Sequence, residues 1–138
     1  MPVEKLAPLL SHTVFSWASG VSAAVSLVLP LLAVLMYQPG QGGLRSAHTW
    51  AGTAFLVTSL VAALSGYRYG REARRKGLFP HAIGVFVAGL LQFTLGELGY
   101  TWVHVVLGIL ITLGAVALFA MSLRHTTVVT AGDTTSRG

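Results

Sequence analysis

Charged residues divide this chain into four long uncharged stretches. No Asp, Glu, Lys or Arg occurs in residues 6–44, 46–67, 77–96 or 98–123. A helix needs about 20 predominantly apolar residues to cross the hydrocarbon core of a bilayer, and each stretch meets that need. The pattern predicts an all-α integral membrane fold, with spans over about residues 11–37, 46–67, 78–96 and 100–123. "YQPGQGG" (37–43) reads as a turn from its Pro and Gly content. "GELGY" (96–100) is so short that the third and fourth spans form a tight antiparallel hairpin. The expected architecture is an up-down-up-down bundle of four transmembrane helices filling residues 1–125. A small, polar tail over 126–138 is expected to be flexible. Pro30 is a candidate kink in the first span. That span is longer than a secretory h-region and Glu4 interrupts a basic leader, so it is read as a retained helix.

Composition strengthens the membrane reading. Of 138 residues, 54% are apolar and 9% charged, against about 25% charged in soluble domains. Cysteine is absent, which excludes disulfides, thiolate metal sites and cysteine nucleophiles. The net charge of +5 does not point to nucleic acid, because the basic residues cluster between apolar runs. Arg68, Arg71, Arg74, Arg75 and Lys76 face one Glu72 in the loop between the second and third spans. The opposite loops carry only Arg45 and Glu97. The positive-inside rule therefore places the basic loop, and with it both termini, in the cytoplasm of a multi-pass protein of the cell membrane, as in a bacterial inner membrane. Trp50 and Trp102 then fall at the outer interface and Trp17 near the inner one.

Five histidines remain: His12, His48, His81, His104 and His125. Four stand at or just inside the start of a different span. Each alone suits a helix end near the headgroups. Jointly they pair by depth. In an up-down-up-down bundle His12 and His81 lie near the inner face, and His48 and His104 near the outer face. The first and third spans are diagonal to one another, as are the second and fourth, and bundles build cofactor sites across that core. Two opposed imidazoles are the axial ligands of a low-spin haem b. His125, at the end of the fourth span, is read as interfacial.

Glycines follow the same pairing. Gly52 and Gly108 lie four residues after the outer histidines, and Gly20 and Gly89 eight residues after the inner ones. Such positions share or adjoin the histidine's helical face, where a glycine would leave room for a macrocycle. The same glycines also suit close helix packing in lipid. Arg45 is the cationic candidate for a haem propionate at the outer face, and equally a snorkelling interfacial residue. Glu97 is the outer carboxylate, a solvated acid or a group for a proton or quinone head. Gln92 could bond a neighbouring helix.

The stretches "SHTVFSWASG", "AHTWAG", "PHAIGVFVAG" and "VHVVLG" resemble in layout the small b-type cytochromes of the cytochrome b561-like group, over about residues 10–125. That resemblance implies two haems b, or one, held by His48 with His104 and by His12 with His81. It also implies electron transfer across or along the membrane, with a quinol or redox protein as donor and acceptor, alone or as a subunit of a larger oxidoreductase. The competing expectation is a non-haem four-span membrane protein: a scaffold, an assembly factor or a small transporter subunit.

Overall fold

The computed structural model describes residues 3–36, 38–40 and 42–124, with side chains from Leu10 onward. Four helices account for almost all of them: α1 (Val3–Leu35), α2 (Gly42–Glu72), α3 (Leu78–Glu97) and α4 (Thr101–Leu123). All four are long and apolar enough to cross a membrane, and no strand occurs among the described residues. The first two helices extend well beyond the uncharged spans, α1 at its start and α2 at both ends. Basic and polar residues cost nothing in a helix once it leaves the hydrocarbon. The tail over 126–138 and His125 lie outside the described residues.

Each helix packs on its two neighbours in a ring: α1 on α2, α2 on α3, α3 on α4, and α4 back on α1. The diagonal pairs form no comparable interface. Short connections force this up-down-up-down order. Both turns that follow α2 and α3 are closed by the same device, a residue just past the C-cap in the left-handed region with a six-to-one hydrogen bond behind it. After α3 the position is filled by Gly99 at φ 78°, and Tyr100 N–H donates to Leu95 O at 3.0 Å. After α2 it is filled by Arg74 at φ 53°, and Arg75 N–H donates to Gly70 O at 2.8 Å. Arginine pays the steric cost of that conformation, which glycine avoids.

Prolines sit where the missing N–H is tolerated. Pro80 occupies the first turn of α3, where N–H groups have no intrahelical partner. Pro30 lies inside α1, which continues through it. Without a Pro30 N–H, the Ser26 carbonyl loses its helical donor. Thr112 Oγ1 of α4 donates to that carbonyl at 3.1 Å. The expected kink residue is thus a point where α4 ties to α1.

The core is built from small residues and a few rings. Toward the basic-loop end, Phe15, Ala18, Ala62, Ala63, Tyr69, Leu78, Ala82 and Leu118 form one buried cluster. Toward the other end, Phe55, Val85, Ile111 and Ala115 form a second. Ser19, Ser22, Ser26, Ser59, Ser65 and Ser122 are also buried. Most of their hydroxyls bond carbonyls three or four residues back, as Ser65 does to Val61 O at 2.6 Å, which satisfies them inside a helix. Ser22 Oγ lies 3.0 Å from Thr58 Oγ1, where its one proton is shared between Thr58 and the Ala18 carbonyl, linking α1 to α2. Small residues let helices approach closely where no hydrophobic force drives them together.

The outer surface is the reverse of a soluble protein's. Leu27, Leu31, Val34, Val57, Leu64, Val106, Ile109 and Leu113 are all exposed. Trp17 and Trp50 are 72% exposed and Trp102 is 82% exposed. An apolar surface of this extent requires lipid around it. The chain is a multi-pass protein of the cell membrane in contact with the bilayer. Its charge asymmetry orients the 73–77 loop, the start of α1 and the end of α4 toward the cytoplasm. At that end Ser11 Oγ donates to Glu72 Oε2 at 2.6 Å and Arg75 Nη1 donates to Met121 O at 3.4 Å, fastening α1 and α4 to the basic loop.

Candidate functional site

The outer histidines meet. His48 from α2 and His104 from α4 bring their ring centroids to 6.2 Å across the bundle, with an interplanar angle of 56°. Alternating topology makes these helices diagonal, and both histidines lie within two turns of their helix starts. His104 is locked in place reciprocally by Gln92 of α3. The Gln92 side-chain N–H donates to His104 O at 2.6 Å, and His104 Nδ1–H donates to Gln92 O at 2.9 Å. On the α1 side, Val25 and Leu29 pack against the cluster of Phe55, Val85, Ile111 and Ala115 at this end. All four helices therefore contribute to this end of the core.

The inner histidines do not meet. His12 Nε2–H donates to Ser122 O at 3.3 Å, and its ring packs on Tyr69 at 4.8 Å between centroids. His81 Nε2–H donates to Gly114 O at 2.9 Å. Their acceptors on α4 are eight residues apart, about 12 Å of helix rise. Each ring is committed to a different level of the same neighbour, so the expected His12–His81 pair is not formed.

The four glycines are occupied by neighbours. A Cβ on Gly20 would lie 3.0 Å from Phe119, on Gly52 3.5 Å from Phe93, on Gly89 2.7 Å from Phe55, and on Gly108 2.7 Å from Gln92 Nε2. Gly66 repeats the pattern against Phe15, at 3.0 Å. The room expected for a porphyrin is filled by rings and one amide from adjacent helices. This packing fits no macrocycle beside His48 and His104 unless Phe93 and Gln92 move. Arg45 is exposed one turn before His48, and Glu97 is exposed at the end of α3. Neither lines the α3–α4 groove described below.

A second feature lies outside the histidine pairing. A groove of about 330 Å³ opens between α3 and α4, bounded by His81, Gly84 and Ala88 on one side and Leu107, Ile111 and Gly114 on the other. Gly84, unlike the glycines above, faces open space. The sequence signal for this groove is Gly84, the small residue three positions after His81.

What fold and site define together is a small, all-helical, multi-pass membrane protein whose spans carry no charge. The relatives it resembles are more specific. The chain is 36% identical over 78 residues to the multidrug resistance protein MdtG of Dickeya zeae, which covers 51% of this chain and 19% of that protein. It is 31% identical over 84 residues to MdtG of Yersinia enterocolitica, covering 58% of this chain and 20% of that protein. Against MdtG of Salmonella arizonae it is 35% identical over 74 residues, covering 51% and 18%. The chain spans about one fifth of the length of these relatives. No family model and no solved structure matches it.

These findings overturn the cytochrome reading. The relatives carry the name of a multidrug resistance protein, and among the described residues no group of three or more His, Cys, Asp or Glu is placed to hold a metal. The resemblance to the cytochrome b561-like group is one of layout. Electron transport, haem and iron fall with it.

Proposed function

We propose that this chain is a transporter-related membrane protein, a four-span subunit that handles small lipophilic compounds. The observation that carries the proposal is its similarity, over more than half its length, to proteins named for multidrug resistance. The absence of charge in the spans agrees with uncharged cargo. Charged groups within a membrane mark paths for ions and charged substrates, and the spans here contain none. The α3–α4 groove is a shallow, outward-open depression of about 330 Å³, apolar apart from His81. His81 donates its Nε2–H to Gly114 O, so its Nδ1 is left as an acceptor for a cargo N–H or O–H.

The test is accumulation of a lipophilic fluorescent dye in efflux-deficient bacteria producing the chain. The proposal expects lower steady-state dye than in cells carrying an empty vector, with the difference abolished by Gly84→Trp, which fills the groove. Equal accumulation at verified membrane abundance contradicts it.

A further inference from the structure

A second depression lies at the cytoplasmic end of the bundle. It is shallow, opens outward, has a volume of about 360 Å³, and is lined by Arg75, Gly77, Leu78, Met121 and Arg124. Two arginines thus share one surface with apolar side chains, of which Leu78 is buried and Met121 half-buried. The position of Arg75 is fixed twice. Its N–H donates to Gly70 O at 2.8 Å, and its Nη1 donates to Met121 O at 3.4 Å. Glu72, the one acid of the basic loop, accepts from Ser11 Oγ on α1 and does not line the depression. Gly77 precedes α3 without a side-chain cap, and a Cβ there would meet nothing within 4 Å, so the approach to the arginines is open.

Helical spacing joins this depression to the α3–α4 groove. Gly77, His81, Gly84 and Ala88 follow one another at intervals of four, three and four residues, and Met121, Gly114, Ile111 and Leu107 at seven, three and four. Such intervals keep to one face of a helix. The two depressions therefore lie in line on one side of the α3–α4 seam. From Gly77 to Ala88 the rise is about 16 Å, close to half of the ~30 Å hydrocarbon core. That is the depth of one leaflet.

We infer that this side of the seam binds one anionic phospholipid of the inner leaflet, its phosphate held by Arg75 and Arg124 and an acyl chain following the groove past Gly84. Guanidinium groups match phosphate oxygens in bidentate geometry, and basic pockets between transmembrane helices on the cytoplasmic side suit acidic headgroups. Free phosphate offers the arginines the same chemistry but makes no use of the apolar lane. The positive-inside rule asks only for a number of charges in the loop, whereas this site asks for two particular ones. The inference does not rest on the proposed transport, since its readout is lipid binding by the purified protein.

Thermal unfolding of the purified full chain in uncharged detergent tests it, with phosphatidylglycerol, phosphatidylcholine or inorganic phosphate added. A ligand that binds the folded state raises the midpoint. Phosphatidylglycerol should raise it saturably, and the other two should not. Arg124→Gln and Arg75→Gln should each raise the phosphatidylglycerol concentration that gives half the shift by at least about fivefold, the effect of one basic residue near acidic lipid. Lys76→Gln removes the same charge from the same loop, but Lys76 does not line the depression, so this variant should respond as the parent does. Arg124 is exposed at the end of α4, so Arg124→Gln should fold whether or not Arg75→Gln does. An equal shift from phosphatidylcholine would overturn the inference, as would one from inorganic phosphate as large as that from phosphatidylglycerol. So would an unchanged response by Arg124→Gln, or a loss in Lys76→Gln as large as that in Arg124→Gln.

Discussion

At the scale of residues, glycine has two roles that spacing alone does not separate. Gly20, Gly52, Gly66, Gly89 and Gly108 receive a side chain from a neighbouring helix, whereas Gly84 faces open space. The sequence shows that a Cβ is missing, and it does not show what occupies the gap. A macrocycle and a phenylalanine ring ask for the same vacancy, which is why four glycines pointed to haem. The difference is measurable. Gly89→Ala would bring its Cβ to 2.7 Å from Phe55, and overpacking of this kind costs about 1–3 kcal/mol. Thermal unfolding in detergent should show a lower midpoint, partly restored by adding Phe55→Leu. Gly84→Ala should hold or raise the midpoint, because alanine gains about 0.5–1 kcal/mol over glycine in a helix where space allows. Gln92→Leu removes one interhelical hydrogen bond, and in membranes these average about 0.6 kcal/mol.

At the scale of elements, the gaps between charges revealed the four spans because removing a charge from water is costly wherever it occurs. Depth was legible for the same reason, and His48 and His104 meet as the alternating topology implies. Rotation about each axis was not legible. A helix apolar on nearly all sides carries little amphipathic signal to fix its facing, so His12 and His81 could not be assigned to the core by pattern. They turn instead to Ser122 and Gly114 of α4. The turn after α2 offers a further check. Arg74 sits at φ 53°, a conformation that costs a non-glycine residue about 1–2 kcal/mol. Arg74→Gly should therefore raise the unfolding midpoint. Orientation can be tested cleanly because the chain has no cysteine. Arg74→Cys should react with a membrane-impermeant thiol reagent only in inside-out vesicles, and Gln38→Cys only in right-side-out ones. The reverse labelling would contradict the assigned topology.

At the scale of the whole molecule, two features stand apart, one inside the bundle and one on its surface. The outer end is crowded by His48, Gln92 and His104. Lower down, the α3–α4 face opens as a groove beside Gly84. The account assigns apolar cargo to that groove, because the spans lack charge and the relatives carry a multidrug resistance name. The groove is lined by α3 and α4 of the described bundle, so binding should be detectable on the isolated chain. The direct measurement is equilibrium binding of a lipophilic fluorescent dye to the full chain in lipid nanodiscs, corrected against empty discs. The account predicts saturable binding that Gly84→Trp removes while helicity is kept. Dye uptake that matches empty discs, or that ignores Gly84→Trp, would contradict it.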